Sequence, residues 1–372
     1  MDDLDKKIVT AIQGGLPAEE RPFDALAAPL GIQPDEMLAR VRRLAGDGMI
    51  RRLGPVFDSR SLGYVSTLVA ARIPPERLAE VAARVTRLPG VTHNYERRHA
   101  YNLWFTLTCP SAQELDRTLA GLRKETGIPD FHNLPALAVY KIRVQFDLAG
   151  KSEVPGEDMT TFPEKGSLPT GRSAGACRPR SDVCADSGRA GDKPPRYARA
   201  PGVPRPLDEK QKELVRLLQD GLAVEREPFA AMAARIGWPA SRVAQQIREW
   251  LDSGVIRRFG AVVRHKELGF VANGMAAFRI SPEAIDDAGR RLARHAEVSH
   301  CYRRRPLADF PYSLFAMVHG PSEDEVRRTV AAMAKEIAVE DYAVLFSVTA
   351  FKKASMRYFV EAVQGDRGTE KS

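Results

Sequence analysis

Apolar residues recur at helical spacing from Leu4 to Ile12, from Phe23 to Ala28 and from Pro34 to Ala45, with Gly31 as a turn and Gly46 and Gly48 as a stop. This predicts three short helices, and the run Ile50 to Val56 predicts an extended wing after them. Lys210 to Gln219, Phe229 to Ile236 and Pro239 to Leu251 repeat the helical pattern, broken at Gly237 and Gly254. Three short helices and a wing read as a winged helix-turn-helix. The period then changes. Tyr64 to Ile73, Val91 to Arg98, Tyr101 to Thr108 and Leu134 to Val144 read as strands, while Pro75 to Arg87 and Ala112 to Glu125 read as helices. That order, βαββαβ, is the ferredoxin-like split unit. Phe270 to Ile280, Pro282 to His295, Val298 to Arg305, Tyr312 to Val318, Glu323 to Ile337 and Tyr342 to Phe351 restate it. The predicted class is α+β, a tandem duplication of winged helix-turn-helix plus ferredoxin-like unit.

The duplication is visible residue by residue. MIRRLG (Met49 to Gly54) matches VIRRFG (Val255 to Gly260), LGY (Leu62 to Tyr64) matches LGF (Leu268 to Phe270), and VTHNYERR (Val91 to Arg98) matches VSHCYRRR (Val298 to Arg305). The offset is 206 at the glycines and reaches 211 at YNLWF (Tyr101 to Phe105) against YSLFA (Tyr312 to Ala316), so the second copy carries an insertion, PLADFP. The expected domains are 1–60 and 207–265, the two winged helix-turn-helix units, and 61–150 and 266–360, the two ferredoxin-like units. Residues 151–206 hold 9 Pro, 7 Gly and 5 Ser with few large apolar side chains, too little to offset backbone entropy, and are expected to be a flexible tether; 361–372 is expected to be a flexible tail.

Composition narrows the functional classes. Fifty-six Lys plus Arg against 48 Asp plus Glu give a net charge of +8, which favours an anionic partner, nucleic acid or otherwise. Acidic MDDLDKK at the start and the shortness of the apolar runs argue against export and membrane spans, and four scattered cysteines argue against a disulfide scaffold, so a cytoplasmic location is expected. The Cys177 and Cys184 pair lacks a second ligand pair and is expected to be incidental. As recognition helices, MLARVRRL and VAQQIREW leave DNA binding open, although Asp35 and Glu36 oppose phosphate contact.

The candidate chemistry lies on two strands. Period two places His93, Tyr95 and Arg97 on one face of the first and His300, Tyr302 and Arg304 on one face of the second. A solvated face or subunit interface is the plain reading; an anionic pocket is the functional one, with arginines gripping carboxylates and histidine moving a proton. Arg98, Arg303 and Arg305, with Phe310, Tyr312 and Phe315, are expected to line it, the insertion PLADFP acting as a lid. Trp104, Phe131 and Trp250 read as core aromatics and His132, His265 and His319 as structural. Cys301 points away from the histidine face, and no metal site is expected.

A helix-turn-helix followed by βαββαβ resembles the Lrp/AsnC family. The strings IRRLGPVFDSRSLGY, VTHNYERRHAYNLWFTL, IRRFGAVVRHKELGF and VSHCYRRRPLADFPYSLFAMVHG resemble, more narrowly, siroheme decarboxylases of the fused NirDL type, related to the separate AhbA and AhbB subunits. The resemblance spans both copies and omits the tether. It implies non-oxidative removal of CO2 from the C12 and C18 acetates of siroheme, giving 12,18-didecarboxysiroheme on the way to heme d1. It implies no added cofactor, the iron-containing siroheme being the substrate, and a helix-turn-helix kept as scaffold rather than for DNA. Regulators of this fold assemble through their βαββαβ units, so the two halves are expected to pair as a pseudo-dimer whose pairing surface completes the site, with either one competent pocket, favoured in the second half, and one supporting pocket, or two pockets each finished by the partner half; further homo-oligomerisation is left open. Siroheme is a flat apolar ring edged with carboxylates, and loss of CO2 from an acetate leaves a carbanion to be quenched. His300 is the expected proton donor, Arg304 the carboxylate anchor and Tyr302 the orienting group, with His93, Tyr95 and Arg97 in equivalent places.

Overall fold

The computed structural model describes residues 1–142, 206–263 and 272–360, with the backbone of Thr160–Thr161. Nearly all of the expected tether, with Cys177 and Cys184, the tail, and His265 lie outside the described residues.

The first half runs α1 (Asp3–Gly14), α2 (Pro22–Leu30), α3 (Pro34–Gly46), β1 (Ile50–Phe57), β2 (Val65–Ala71), α4 (Leu78–Thr86), β3 (Val91–Arg97), β4 (Leu103–Cys109), α5 (Ala112–Thr126), β5 (Phe131–Leu134) and β6 (Ala136–Ile142). After β7 (Thr160–Thr161) the second runs α6 (Glu209–Gln219), α7 (Ala230–Ile236), α8 (Ala240–Ser253), β8 (Ile256–Val263), β9 (Ala272–Phe278), α9 (Ile285–Arg294), β10 (Val298–Arg304), β11 (Leu314–Gly320), α10 (Glu323–Glu336) and β12 (Tyr342–Lys353). Local chemistry sets the ends. Asp2 and Asp208 close capping boxes on α1 and α6, Ser111 and Ser322 cap α5 and α10, and left-handed Gly31 and Gly237 end α2 and α7. Where one strand is expected from Leu134 to Val144, two occur, because Pro135 has no N–H to give a ladder.

The halves are interlocked at both levels. Wing pairs with wing, β1 antiparallel to β8, and the repeated glycines Gly54 and Gly260 are register partners. Each wing also docks on the opposite helix-turn-helix: Leu16 N donates to Phe259 O at 2.7 Å and Leu222 N to Leu53 O at 2.9 Å. Gly260 is required there, since a Cβ would lie 2.3 Å from Ile12 O. One apolar core therefore serves both helix-turn-helix units, from Ile8 and Phe23 to Phe229 and Trp250.

The βαββαβ units form one ten-stranded sheet, ordered β5-β2-β4-β3-β12-β9-β11-β10-β6-β7. The final strand of each half crosses to the other. β6 leaves the first half to pair with β10, and β12 pairs β9 through Tyr342–Phe346, then continues along β3 from Ser347 to Lys353. Helices cover one face in two separate cores, and the other face buries Trp104, Met275, Phe310, Phe315 and Leu345 together.

Candidate active site

The two candidate strands are the ones bordered by a visiting strand: β3 lies between β4 and β12, and β10 between β11 and β6. Each carries a β-bulge near its start, between Val91 and Asn94 and between Val298 and His300. A bulge turns side chains out of strict alternation. Here it brings the Thr92 hydroxyl to 3.0 Å from His93 Nδ1 and the Ser299 hydroxyl to 2.9 Å from His300 Nδ1.

Beyond the bulge the expected ladders form. His93 stacks on Tyr95 with ring centroids 6.1 Å apart, and the Arg97 guanidinium lies 5.7 Å from the Tyr95 ring. His300 stacks on Tyr302 at 6.0 Å, with the Arg304 guanidinium 4.9 Å from that ring. Each arginine is tied to the other half: Arg97 Nη1 donates to Leu345 O at 2.7 Å, and Arg304 Nη1 donates to Leu134 O. Both are buried, and neither Nε has a hydrogen-bond partner among the described residues. Two buried cations with an unspent donor suit an anion that reaches them.

Electrostatics couple the ladders. Burial, followed by the positive fields of His319, His93, Arg257 and Arg304, pushes His300 down to about 4. Burial also lowers His93, helped by Lys353 and Arg51. Burial lowers Arg97 and Arg304 to about 10 and raises both tyrosines. Cationic side chains thus dominate the field around both ladders.

The wings supply residues that the strand pattern alone missed. The charges of Arg51 and Arg257, the first arginines of the repeated IRR strings, bear on His93 and His300 respectively, and that of Arg60 on Tyr302 and Arg304. Arg257 Nε donates to Asp58 Oδ2 at 2.7 Å. Burial works against the Asp58 charge, but Arg257 and the Ser61 turn outweigh it and hold its carboxyl below the usual range. The signal was present in the sequence as a duplicated IRR; what it lacked was the fold that lays a wing over a sheet.

The other arginines expected to line the site stand elsewhere. Arg303 lies 3.8 Å from Asp286, on the strand face opposite His300, because period two sends it there. Arg98 pairs with Glu323 at 3.2 Å, and Arg305 is exposed just past the strand end. The insertion is a wedge rather than a lid. Phe310 is 1% exposed, with ring centroids 5.7 Å from Tyr101 and Trp104, 4.8 Å from Tyr312 and 6.1 Å from Phe315. Tyr101 OH donates to Asp309 at 2.7 Å, and Arg72 pairs with the same carboxylate. Phe315 is the register partner of Tyr302, so this aromatic cluster adjoins the ladder from below. Cys301 is wholly buried on the helix side, its thiol pushed up to about 12 by burial, and Trp104, Phe131 and Trp250 are core residues. Among the described residues no group of three His, Cys, Asp or Glu side chains is placed to hold a metal ion, and no helix is long and apolar enough to cross a membrane.

The third helices of the helix-turn-helix units spend equivalent arginines across the interface. Arg42 Nε donates to Val224 O at 2.9 Å, and Arg248 Nη1 to Ala18 O. Arg40 and Arg43 are held by Asp2, Asp5 and Glu36.

Residues 5–51 and 211–257 match the siroheme decarboxylase NirDL-like HTH domain, and residues 61–141 and 267–352 match the AsnC-like ligand binding domain. The chain is 32% identical to a siroheme decarboxylase of Hydrogenobacter thermophilus over 95% of its own length and 95% of that protein. It is similar to a crystal structure of the siroheme decarboxylase NirDL, with a TM-score of 0.70 and 30% identity over 96% of this chain and 95% of that one. A NirDL structure in co-complex with an iron-uroporphyrin III analogue gives a TM-score of 0.70 at 29% identity, with the same coverage. With its duplicated architecture and paired ladders, this chain belongs to the siroheme decarboxylase family.

Proposed function

We propose that this protein decarboxylates siroheme, removing CO2 from the C12 and C18 acetate side chains, and that the His300–Tyr302–Arg304 ladder is where proton delivery occurs. The observation carrying the assignment of roles is the buried Arg304, one guanidinium nitrogen fixed to Leu134 O and Nε unpartnered, beside a histidine whose charge is suppressed in the free protein. A polycarboxylate entering this field offsets the repulsion from Arg257, Arg304 and His93, so binding raises the proton affinity of His300 when an acid is needed. Each reaction converts a ring acetate and one proton to a methyl group and CO2. The electron pair of the broken C–C bond is taken up by the macrocycle and then captures the proton. Tyr302, stacked between His300 and Arg304, orients the imidazole.

His93, Tyr95 and Arg97 form the equivalent ladder and hold carboxylates on the opposite rim. No cofactor beyond the substrate's own iron is invoked. The helix-turn-helix units act as scaffold: with Arg42 and Arg248 tied to backbone carbonyls, DNA is not a partner, and the chain works in the cytoplasm as a pseudo-dimer of its own halves. The test is anaerobic incubation of the purified chain with siroheme, followed by mass spectrometry. Two successive losses of CO2 are expected from the wild type, and unchanged mass after stoichiometric binding would make it a carrier or sensor.

A further inference from the structure

The outer side of His300 is wired differently from that of His93. Ser299 Oγ, 2.9 Å from His300 Nδ1, also lies 2.5 Å from His319 Nε2, and His319 Nδ1 lies 2.5 Å from Asn273 Oδ1. The chain of contacts runs from a half-buried imidazole on β10 to an exposed asparagine on β9. In the first half, the register position of His319 is Thr108, which meets Ser66 at 3.0 Å, while Thr92 closes onto Thr106 at 2.6 Å. Among the described residues, no imidazole hydrogen-bonds to the Thr92–Thr106 pair behind His93.

We propose that His319 is a positioning residue that relays a proton to His300 Nδ1 through the Ser299 hydroxyl, so that the second half can give up its Nε2 proton under bound substrate without leaving an imidazolate. This rests on the decarboxylase reading above. A macrocycle seated over the ladder excludes water from the inner side of the imidazole, yet each CO2 released consumes a proton. Asn273 Oδ1 is an acceptor, so His319 Nδ1–H donates to it, and a second proton on His319 Nε2 points to Ser299. As His300 Nε2–H passes to the carbanion, His300 Nδ1 takes the Ser299 proton and Ser299 takes the proton from His319 Nε2. One proton moves outward to inward and His319 becomes neutral. After product leaves, water protonates His300 Nε2 and the Nδ1 proton returns by the same path. Facing this wire are His93, Arg257 and Arg304, whose positive charges oppose a proton resting on His300.

The experiment compares wild type, Ser299→Ala, Ser299→Thr and His319→Gln. With siroheme, Ser299→Ala and His319→Gln are expected to lower kcat by ~10- to 100-fold with Kd for siroheme unchanged and a larger solvent deuterium isotope effect. Ser299→Thr, which installs the residue found at Thr92, should stay within ~3-fold because it keeps the hydroxyl. Loss of binding together with kcat, or no loss of kcat, overturns the relay. Nitrogen NMR of histidine-labelled protein without siroheme is the independent arm: the His300 ring resonances should follow the titration of His319 in wild type and lose that response in Ser299→Ala. A His300 signal blind to His319 in the wild type rejects the relay whether or not siroheme turns over. Absence of turnover with the NMR coupling intact rejects only the decarboxylase reading.

Discussion

Arg97 Nη1 donates to the carbonyl of Leu345, 248 residues further along the chain, across the seam where β3 of the first half meets β12 of the second. Arg304 makes the same bond in reverse to Leu134. Each ladder is thus finished by a strand of the opposite half, and the wings and helix-turn-helix units cross over too. Expressed as two chains, 1–161 and 206–372, the halves should co-purify in a 1:1 complex with siroheme-dependent activity. Either chain alone should show weakened far-ultraviolet circular dichroism and aggregate on size exclusion, because its sheet edge and half of the shared core are exposed. Stable, monomeric isolated halves would refute the exchange of strands.

The seat of the first crossing strand can be tested at one glycine. A Cβ on Gly289 of α9 would lie 2.4 Å from the Tyr140 ring of β6. Gly289→Ala should cost about 1–3 kcal/mol, read as a lower urea midpoint. Gly121 of α5 has no atom within 4 Å of its added Cβ, and Gly121→Ala should be neutral or stabilising by up to about 1 kcal/mol.

Removal of the proposed acid and of the proposed anchor should separate two kinetic quantities. His300→Ala is expected to lower kcat by ~10²- to 10⁴-fold while siroheme still binds, as followed by its absorbance. Arg304→Ala should weaken binding and turnover together. An Arg304→Ala protein that binds normally would move the carboxylate anchor elsewhere, with Arg60 and Arg257 next to be tested.

Burial of His300 also predicts a stability profile. Its folded value of about 4 lies below the ordinary 6.5, so between these limits the unfolded chain binds more protons than the folded one. Stability from this group is full above pH ~6.5, falls as the pH drops toward 4, and changes no further below that. The loss is on the order of 3 kcal/mol. Urea midpoints at pH 7.5, 5.5 and 4.5 should fall less steeply for His300→Gln than for wild type. Parallel slopes would mean that His300 is solvated in the free protein.

The architecture was legible where the sequence repeats: capped helices, the IRR wings and the βαββαβ periods all appear twice, and the two His/Tyr/Arg stripes lie on the strand faces that alternation assigns them. The pairing of the two halves was expected as well; what escaped was where that pairing sends individual side chains. Arg98 and Arg303 look like site residues in a linear string, yet one is held by Glu323 on α10 and the other lies close to Asp286 on α9. Phe310 reads as part of a lid because an insertion is usually a loop, but Tyr101 and Trp104 of the other half offer it a buried slot. Ser299 and His319 have no visible connection 20 residues apart until a bulge turns one toward the other.

The crossing of β6 and β12 has a genetic consequence. A lesion between residues 136 and 142 strikes the ladder of the second half, and one between 347 and 353 strikes that of the first. A map of defective alleles would therefore look inverted, with damage attributed by position to one copy and felt in the other. Neither copy can specialise without its sister's consent, which ties the two ancestral repeats into a single evolving unit even where their sequences have drifted far apart.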